Sequence, residues 1–411
     1  MKGWDELSLD SAPLQIIDGD RGKAYPKHGD FSGEGYCLFL SATNVTKSGF
    51  DFSECQFISE QKDEELRKGK LARHDVVLTT RGTLGNAALY VDDVPYEHIR
   101  INSGMVLMRT DPDRLLPAFL YCFLRSPSFK AQVEQLRSGV AQPQLPIRDI
   151  KKIKLSLPRK EIQTRIADIL SAYDDLIENN RRRMALLEES ARQLYREWFV
   201  QLRFPGHEHA RIVDGVPEGW ARVTIGTIAE VQSGFAFKSS TYLQSGEYGI
   251  VTIKNVHDGN FIADVDAFLD ELPNKMPQHC LLSVGDILLS LTGNIGRACL
   301  VSGDGYLLNQ RVAKLVPRTG FSRAFAYFTF REENLRKRIE AISYGVAQQN
   351  LSPVKMRDIP IELPPKNFIR QFSDFADTAI DQILNLKQQN QKLRAARDLL
   401  LPRLMSGEVV V

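Results

Sequence analysis

The sequence predicts an α+β protein in which two similar globules of mixed strand and helix alternate with two long helices. Three observations predict it. The stretch from Glu161 to about Arg203 carries a seam at heptad spacing, apolar except for Asn180: Ile166, Leu170, Tyr173, Ile177, Asn180, Met184, Leu187, Ala191, Leu194 and Trp198. A second stretch, from Asn367 to about Leu404, repeats that seam in register as Phe372, Ala376, Ala379, Ile383, Leu386, Asn390, Leu393, Arg397, Leu400 and Leu404. Local segments of the region before the first seam also return before the second.

Residues 1–155 form the first globule. Short β-rich runs, YCLFLSATNV from Tyr36 and DVVLTTRGTLGNAALYV from Asp75, are broken by Gly and Asp turns. A helical piece from Leu115, a Gly/Gln/Pro loop from Ser138 and a strand-like IKKIKLSLP from Ile150 lead into the central helix, residues 156–203. No Gly or Pro interrupts its seam. At about 1.5 Å per residue, roughly 40 residues give a rod on the order of 60 Å, which needs a partner to cover its narrow apolar stripe. The partner is in the same chain.

Residues 204–362 hold a linker rich in Pro, Gly and polar residues, Phe204 to Trp220, and then the second globule. SATNV (Ser41 to Val45) returns as TIKNV (Thr252 to Val256), DVVLTTRGTLGN (from Asp75) as DILLSLTGNIGR (from Asp286), and INS (from Ile101) as LNQ (from Leu308). SGVAQPQL (from Ser138) returns as YGVAQQNL (from Tyr344), and LSLP before the first helix as IELP before the second. Residues 363–411 are the distal helix and a short tail.

With 43% hydrophobic and 25% charged residues in 411, the composition is that of a soluble globular protein of about two domains plus the helices. A net charge of +2 confines any nucleic-acid surface to a local patch. Five scattered cysteines in no CxxC spacing favour a reducing cytoplasm over a disulfide scaffold or zinc site. MKGWDELSLD has no apolar signal core, and no run is long enough to span a bilayer. His207 and His209 lie on the linker with no further ligand cluster, so solvated histidines are the reading and a metal is not expected.

No catalytic constellation is present. GxGxxG after a strand, GxxxxGK[ST], GxSxG, HExxH and the NPP[FY] tetrapeptide of base-flipping methyltransferases are all absent. The acid pairs Asp92/Asp93 and Asp174/Asp175 read as solvated charge. The duplicated turn is more informative: Thr80, Arg81, Gly82 and Thr83 in one copy, Thr292, Gly293 and Asn294 followed by Arg297 in the other. A Gly turn studded with donors suits close approach to a phosphate backbone, with Arg able to fork onto guanine. A tight hairpin with polar decoration fits the same residues, and both readings stay open. The amides of Gln142, Gln144, Gln348, Gln349 and Asn350 can read adenine or be ordinary loop residues. Asn44, Asn102, Lys254, Asn255, Gln310, Arg311, Lys23 and Arg100 are further polar candidates.

At this point the chain resembles the specificity subunit of a type I restriction-modification enzyme over essentially its whole length. The segments that carry the resemblance are REWFVQLRFPG (from Arg196), VPEGW (from Val216), GDILLSLTGNIG (from Gly285), GVAQQNLS (from Gly345) and LLPRLMSGEV (from Leu400). The family's acidic and Gln pair at a helix start appears as Glu161-Ile162-Gln163, whereas the second helix has Asn367-Phe368-Ile369.

The resemblance implies a non-catalytic subunit with two target recognition domains, each reading half of a bipartite site in double-stranded DNA. The helices would form an antiparallel coiled coil that sets half-site spacing and docks two methyltransferase subunits. Those partners would bring S-adenosylmethionine, and motor and nuclease subunits ATP and Mg, with no cofactor in this chain. In such a coil Asn180, at a d-type position, and Asn390, at an a-type position, would face each other and fix register; the alternative is that they face solvent. A coiled-coil adaptor whose globules bind protein, and a self-contained DNA methyltransferase, are the competing functions.

Overall fold

The computed structural model describes residues 4–139, 143–213, 215–343 and 351–411. The chain divides into two compact units, Met1–Leu176 with Leu393–Val411, and Ile177–Lys392. Each unit therefore contains one globule and a portion of both long helices. The sequence reading placed boundaries at the helix ends; the compact units instead cut through both helices. Ile166, Leu170, Leu400 and Leu404 pack into the core of the first unit, and Leu187, Ala191, Leu194, Trp198, Phe372, Ala376 and Ala379 into that of the second.

In the first unit a four-stranded antiparallel sheet runs in the order Leu14–Asp18, Met105–Thr110, Val76–Thr79, Ala87–Leu89. A three-stranded sheet, Phe57–Ile58, Cys37–Leu40, Ile99–Ile101, packs on it, with Cys37–Leu40 parallel to Ile99–Ile101. Strand Val76–Thr79 is buried at every position and reads VVLT, an apolar β-branched run suited to a strand covered on both faces. Val76 and Leu78 enter the core shared with the helices, whereas Val77 faces the core of the smaller sheet.

The predicted helical piece from Leu115 is two helices, Pro117–Arg125 and Pro127–Leu136, each with Pro at its first turn and separated at Ser126, whose hydroxyl caps the second. Both lie against the open side of the larger sheet, where Phe119, Phe123 and Phe129 join the core. Strand Asp5–Ser8 pairs with Lys154–Leu157, so the start of the chain is tied to the segment that enters the central helix.

The second unit repeats this plan. Its larger sheet runs Ala229–Ser233, Val312–Pro317, Ile287–Ser290, Ala298–Leu300, and its smaller one Phe268–Leu269, Tyr248–Val251, Tyr306–Leu308, Leu281–Leu282. Strand Ala221–Thr224 pairs with Pro360–Leu363 in front of the distal helix, as Asp5–Ser8 does in front of the central one. Part of the linker is ordered: Phe204 is buried, with ring centroids 4.9 Å from Phe368 and 5.8 Å from Trp220.

The central helix spans Lys160–Tyr195 and the distal helix Lys366–Met405. None of the twenty seam positions named above is exposed. In the first unit Ile166 and Leu170 share a core with Leu401, Leu404 and Met405, so the start of one helix meets the end of the other. In the second unit Asn180 meets Asn390, and Tyr195 meets Phe372 with ring centroids 5.6 Å apart. Both pairings are antiparallel. The central helix ends in one wide π turn, Arg196–Val200, closed by the Gln201 N–H on the Arg196 carbonyl at 2.8 Å. That turn sets Phe199 against Phe325 and Phe372 at 5.5 and 5.4 Å. The distal helix stops at Gly407, whose φ of +70° a side chain would strain, and Trp4 packs there.

Asn180 and Asn390 are buried. The Asn180 Nδ2 donates to Asn390 Oδ1 at 2.9 Å, and the Asn390 Nδ2 donates to the Ile177 carbonyl at 3.1 Å. Gln163, 1% exposed, accepts from the Leu116 N–H and donates to the carbonyls of Arg114 and Pro158, pinning the central helix to its globule. At the matching place the distal helix has Ile369, buried in an apolar core. The first helix is thus fixed by hydrogen bonds and the second by packing.

Asp174 accepts two hydrogen bonds from Arg125, at 2.5 and 3.2 Å, and one from Arg397 at 2.5 Å. Burial by itself would raise its pKa, but the hydrogen bonds and charge of Arg125, and then of Arg397, outweigh burial and hold the carboxyl below its ordinary value of 3.8. A lowered folded pKa means that its contribution is complete above the unfolded value and is lost as pH falls through the folded one. We expect stability of the first unit to drop steeply below about pH 4, and Asp174→Asn to flatten that limb of a pH series of thermal midpoints. Asn390→Leu alone should cost about 1–3 kcal/mol in chemical denaturation, because it strands the Asn180 amide and the Ile177 carbonyl. Asn180→Leu with Asn390→Leu should recover most of that loss.

Candidate nucleic-acid interface

The duplicated turn is the same structure in both units, down to its hydrogen bonds. In the first, the Gly85 N–H donates to the Thr79 carbonyl at 3.0 Å and the Thr79 N–H to the Asn86 carbonyl at 2.9 Å; in the second, Gly296 donates to Ser290 and Ser290 to Arg297, both at 3.0 Å. The hydroxyls of Thr79 and Ser290 each bond the turn carbonyl four residues on, at Thr83 and Asn294. Gly82 and Gly85 have φ of +70° and +81°, Gly293 and Gly296 +69° and +80°. These two left-handed positions are what the glycines supply.

The turn's flanks are duplicated too. Thr80 N–H donates to the Gly104 carbonyl and Leu145 N–H to the Thr80 carbonyl; Leu291 N–H donates to Arg311 and Leu351 N–H to Leu291. Thr80 therefore corresponds to Leu291, Arg81 to Thr292, Thr83 to Asn294, and Gly104 to Arg311. Each globule carries one arginine beside this ladder, but from different strands: Arg81 in the first and Arg311 in the second, both exposed. Arg297 matches Asn86, at the far end of the turn, as the aligned segments have it, and Arg311 is the arginine next to the second ladder.

The structure gathers several candidates and separates others. Thr80, Arg81 and Gln144 line a cleft of about 270 Å3 together with Arg21 and Asp18. Arg81 and Gln144 are bridged across an antiparallel pair. Arg21, which donates to Asp18 and to the Ser103 carbonyl at 3.2 Å, was missed because a lone arginine near the start of a chain carries no motif. Thr83 donates its hydroxyl to the Ala42 carbonyl at 3.1 Å, and Asn102 Oδ1 accepts from the Gly104 N–H at 2.8 Å. Asn294, Gln310 and Arg311 are exposed, whereas Thr292 and Arg297 are half-buried. Lys23 is exposed. Lys254 is exposed and ion-paired with Asp266 at 2.7 Å. Gln142, Gln348, Gln349 and Asn350 lie outside the described residues.

Three candidates are corrected. Asn44 is 3% exposed: its Oδ1 accepts from the Ser41 N–H and hydroxyl, and its Nδ2 donates to the carbonyls of Asp51 and Glu54. Asn255, also 3% exposed, does the same with Thr252, Ile262 and Asp264. Both amides are saturated inside their own loops and present nothing to DNA. Arg100 is buried against Asp63, with further bonds to the carbonyls of Lys68, Asp63 and Leu66. The sequence shows that an Asn recurs; it does not show which way its amide turns.

His207 and His209 are exposed, and among the described residues no group of three or more His, Cys, Asp or Glu is placed to hold a metal ion. All five cysteines are free thiols, and burial pushes Cys37, Cys122 and Cys299 up to about 12, far from a reactive thiolate. No helix of the described residues is long and apolar enough to cross a membrane.

A globule repeated with the same turn, each copy built onto portions of two antiparallel helices, is matched by one family model. Residues 3–189 and 217–395 both fit the type I restriction modification DNA specificity domain. The chain belongs to this family of DNA-specificity subunits. It is similar to the type I restriction enzyme MjaIX specificity subunit of Methanocaldococcus jannaschii, 25% identical over 362 residues that cover 86% of this chain and 82% of the relative. It is also similar to the HindI specificity subunit of Haemophilus influenzae, 22% identical over the whole of both chains. The crystal structure of a type I restriction-modification S subunit from M. genitalium shares the fold, with a TM-score of 0.61 at 18% identity over 98% of this chain and 96% of that one. The role is DNA sequence specificity, with catalysis in other subunits.

In a specificity subunit the saturated asparagines hold the loops beside the turn in shape. Asn44→Ala and Asn255→Ala should each cost about 1–3 kcal/mol in unfolding experiments, because two carbonyls and two donors lose their partner. Neither change should alter which sequence is read.

Proposed function

We propose that each globule reads one half of a bipartite site in double-stranded DNA through the face built from its duplicated turn. The observation that carries the reading is a constant backbone with divergent side chains. The turn, its two left-handed glycines and its ladder bonds are the same in both copies. The residues at its matching positions differ: Arg81 against Thr292, whose hydroxyl is turned inward, Thr83 against Asn294, Ser103 against Gln310, and Gly104 against Arg311. A shared scaffold with different donors and acceptors is what two half-sites of unlike sequence require.

The paired helices set the separation of the half-sites and dock two methyltransferase subunits, which bring S-adenosylmethionine. Motor and nuclease subunits, where present, bring ATP and Mg. This chain itself needs no cofactor. Arginine is suited to the face because its fork reaches O6 and N7 of guanine together, and glutamine and asparagine can bond adenine in the same paired way. Five free cysteines suit the reducing cytosol in which such an assembly would meet DNA.

Genome-wide mapping of methylated adenines, with and without the gene, tests the reading: a split motif should lose methylation on deletion. An unchanged map in a cell whose methyltransferase partner is expressed would overturn it. Arg81→Ala should lower binding to duplexes intact in one half-site by about 5- to 150-fold, the effect of about 1–3 kcal/mol for a base contact. Arg311→Ala or Asn294→Ala should do the same for the other half. Each loss should vanish on duplexes already altered in that half-site, as read by fluorescence anisotropy.

A further inference from the structure

The two units share a second duplicated feature, away from the ladder residues. Tyr121 and Arg125 of the first unit recur as Tyr327 and Arg331 of the second. In each pair the guanidinium lies over the tyrosine ring, at 4.8 and 5.1 Å from its centre. Each arginine is held by an acid of the central helix, Asp174 for Arg125 and Glu188 for Arg331. The two copies then diverge in charge.

In the second unit Arg331 also takes Asp258 across both its oxygens, at 3.2 and 3.3 Å, and Lys387 stands half-buried near Glu188 and Arg331. Two cations thus meet two carboxylates, and Arg336, at the place of Lys130, is paired with Glu340 at 3.8 Å. The space is filled: a side chain at Gly259 would stand 2.6 Å from the Arg331 guanidinium. Asp258 lies in the turn of the small hairpin Val256–His257 and Asn260–Phe261, and the matching hairpin of the first unit is Val45–Thr46 and Gly49–Phe50. At the place of Asp258 that hairpin has Lys47.

The carboxylate is therefore replaced by an ammonium. Arg397 from the distal helix is added, sharing Asp174 at 2.5 Å and bonding Asp398 at 2.8 Å. What remains is a cleft of about 240 Å3, lined by Lys47, Asn86, Arg125, Lys130, Arg397 and Asp398 among others. Four cations stand against Asp174 and Asp398, an excess of two positive charges. Lys47 and Lys130 are exposed and form no ion pair among the described residues. Arg125 and Arg397 are only 12% and 15% exposed and are held in place by Asp174.

We propose that this cleft is a phosphate-binding site of the first unit, with no counterpart in the second. Two guanidinium groups fixed by their carboxylates, each with N–H donors left over from the five it carries, together with two exposed ammonium groups suit a tetrahedral oxyanion better than a neutral ligand. The volume admits a phosphate group with part of its water, at about 30 Å3 per water. Asn86 and Gly85 of the recognition turn form one wall. The phosphate can belong to the DNA backbone, in which case the inference rests on the DNA-reading function above, or to a free phosphate ion.

The test uses the full-length chain with Lys47→Asp, which restores the carboxylate of the second unit, and Lys47→Asp combined with Lys130→Gln. Lys275→Asp, an exposed lysine of the second unit, controls for the same charge change. If the ligand is DNA, Lys47→Asp lowers affinity several-fold, equally for a duplex carrying the mapped site and a scrambled one, and reduces the slope of log affinity against log salt by about 1. If the ligand is a free ion, inorganic phosphate raises the thermal midpoint of the native chain above that in chloride of equal ionic strength. Lys47→Asp abolishes that rise while leaving the salt slope unchanged. Either outcome supports the site when Lys275→Asp shows neither effect. No change in salt slope and no phosphate-dependent shift, or equal effects from Lys275→Asp, overturns it. A native chain that fails to prefer the mapped duplex would count against half-site reading alone, since the scrambled duplex and the phosphate titration still decide the cleft.

Discussion

The antiparallel pairing of the two long helices is the constraint on which the rest depends. Each helix presents a narrow apolar seam that it cannot bury against itself, and in each globule the short helices on the larger sheet have apolar residues that the long helices cover. Both needs are met at once: portions of the two helices complete the core of each unit, as Leu401 and Leu404 do beside Phe119 and Phe123, and Phe372 and Ala376 beside Phe325 and Phe328. A helix that completes a globular core cannot slide without unpacking it. Register in this protein is therefore held twice, by core packing and by the buried Asn180 and Asn390 amides.

Duplication explains how one design carries two readings. The backbone of the polar turn is copied because its two left-handed positions and its ladder bonds leave little freedom; a change there would unmake the strand ends that hold it. Side chains that point away from the ladder are under no such restraint. The arginine of the first copy and that of the second stand at the ends of neighbouring strands of the same frame. The charged cluster beneath diverges further, from a balanced network around Arg331 to a cationic cleft around Arg125.

Most of the large-scale plan was legible because it rests on periodicity and repetition. Heptad spacing reports which face of a helix must be covered, and all the seam positions proved shielded. Recurrent segments located both turns and both strands that carry them. The two short helices after Leu115 ran together in the sequence reading because the apolar pattern continues across Ser126, and only the capping hydroxyl and the following Pro divide them. Burial of Asn44, Asn255 and Arg100 could not be read, since a polar residue in a loop looks the same whether its donors turn inward or outward.

The sequence by itself determined the order of globule, helix, globule, helix, the heptad seams and the positions of the repeated turns. These follow from local spacing, and local spacing is all that a chain needs to declare an amphipathic helix or a glycine turn. The tertiary structure alone decided which halves of the helices complete which globule, that the exposed arginine beside the second ladder is Arg311, and that Lys47 meets Arg125, Lys130 and Arg397 at one cleft. Those facts depend on contacts between residues far apart in the chain, and no spacing rule fixes which distant side chains will share a dry interior or a patch of charge.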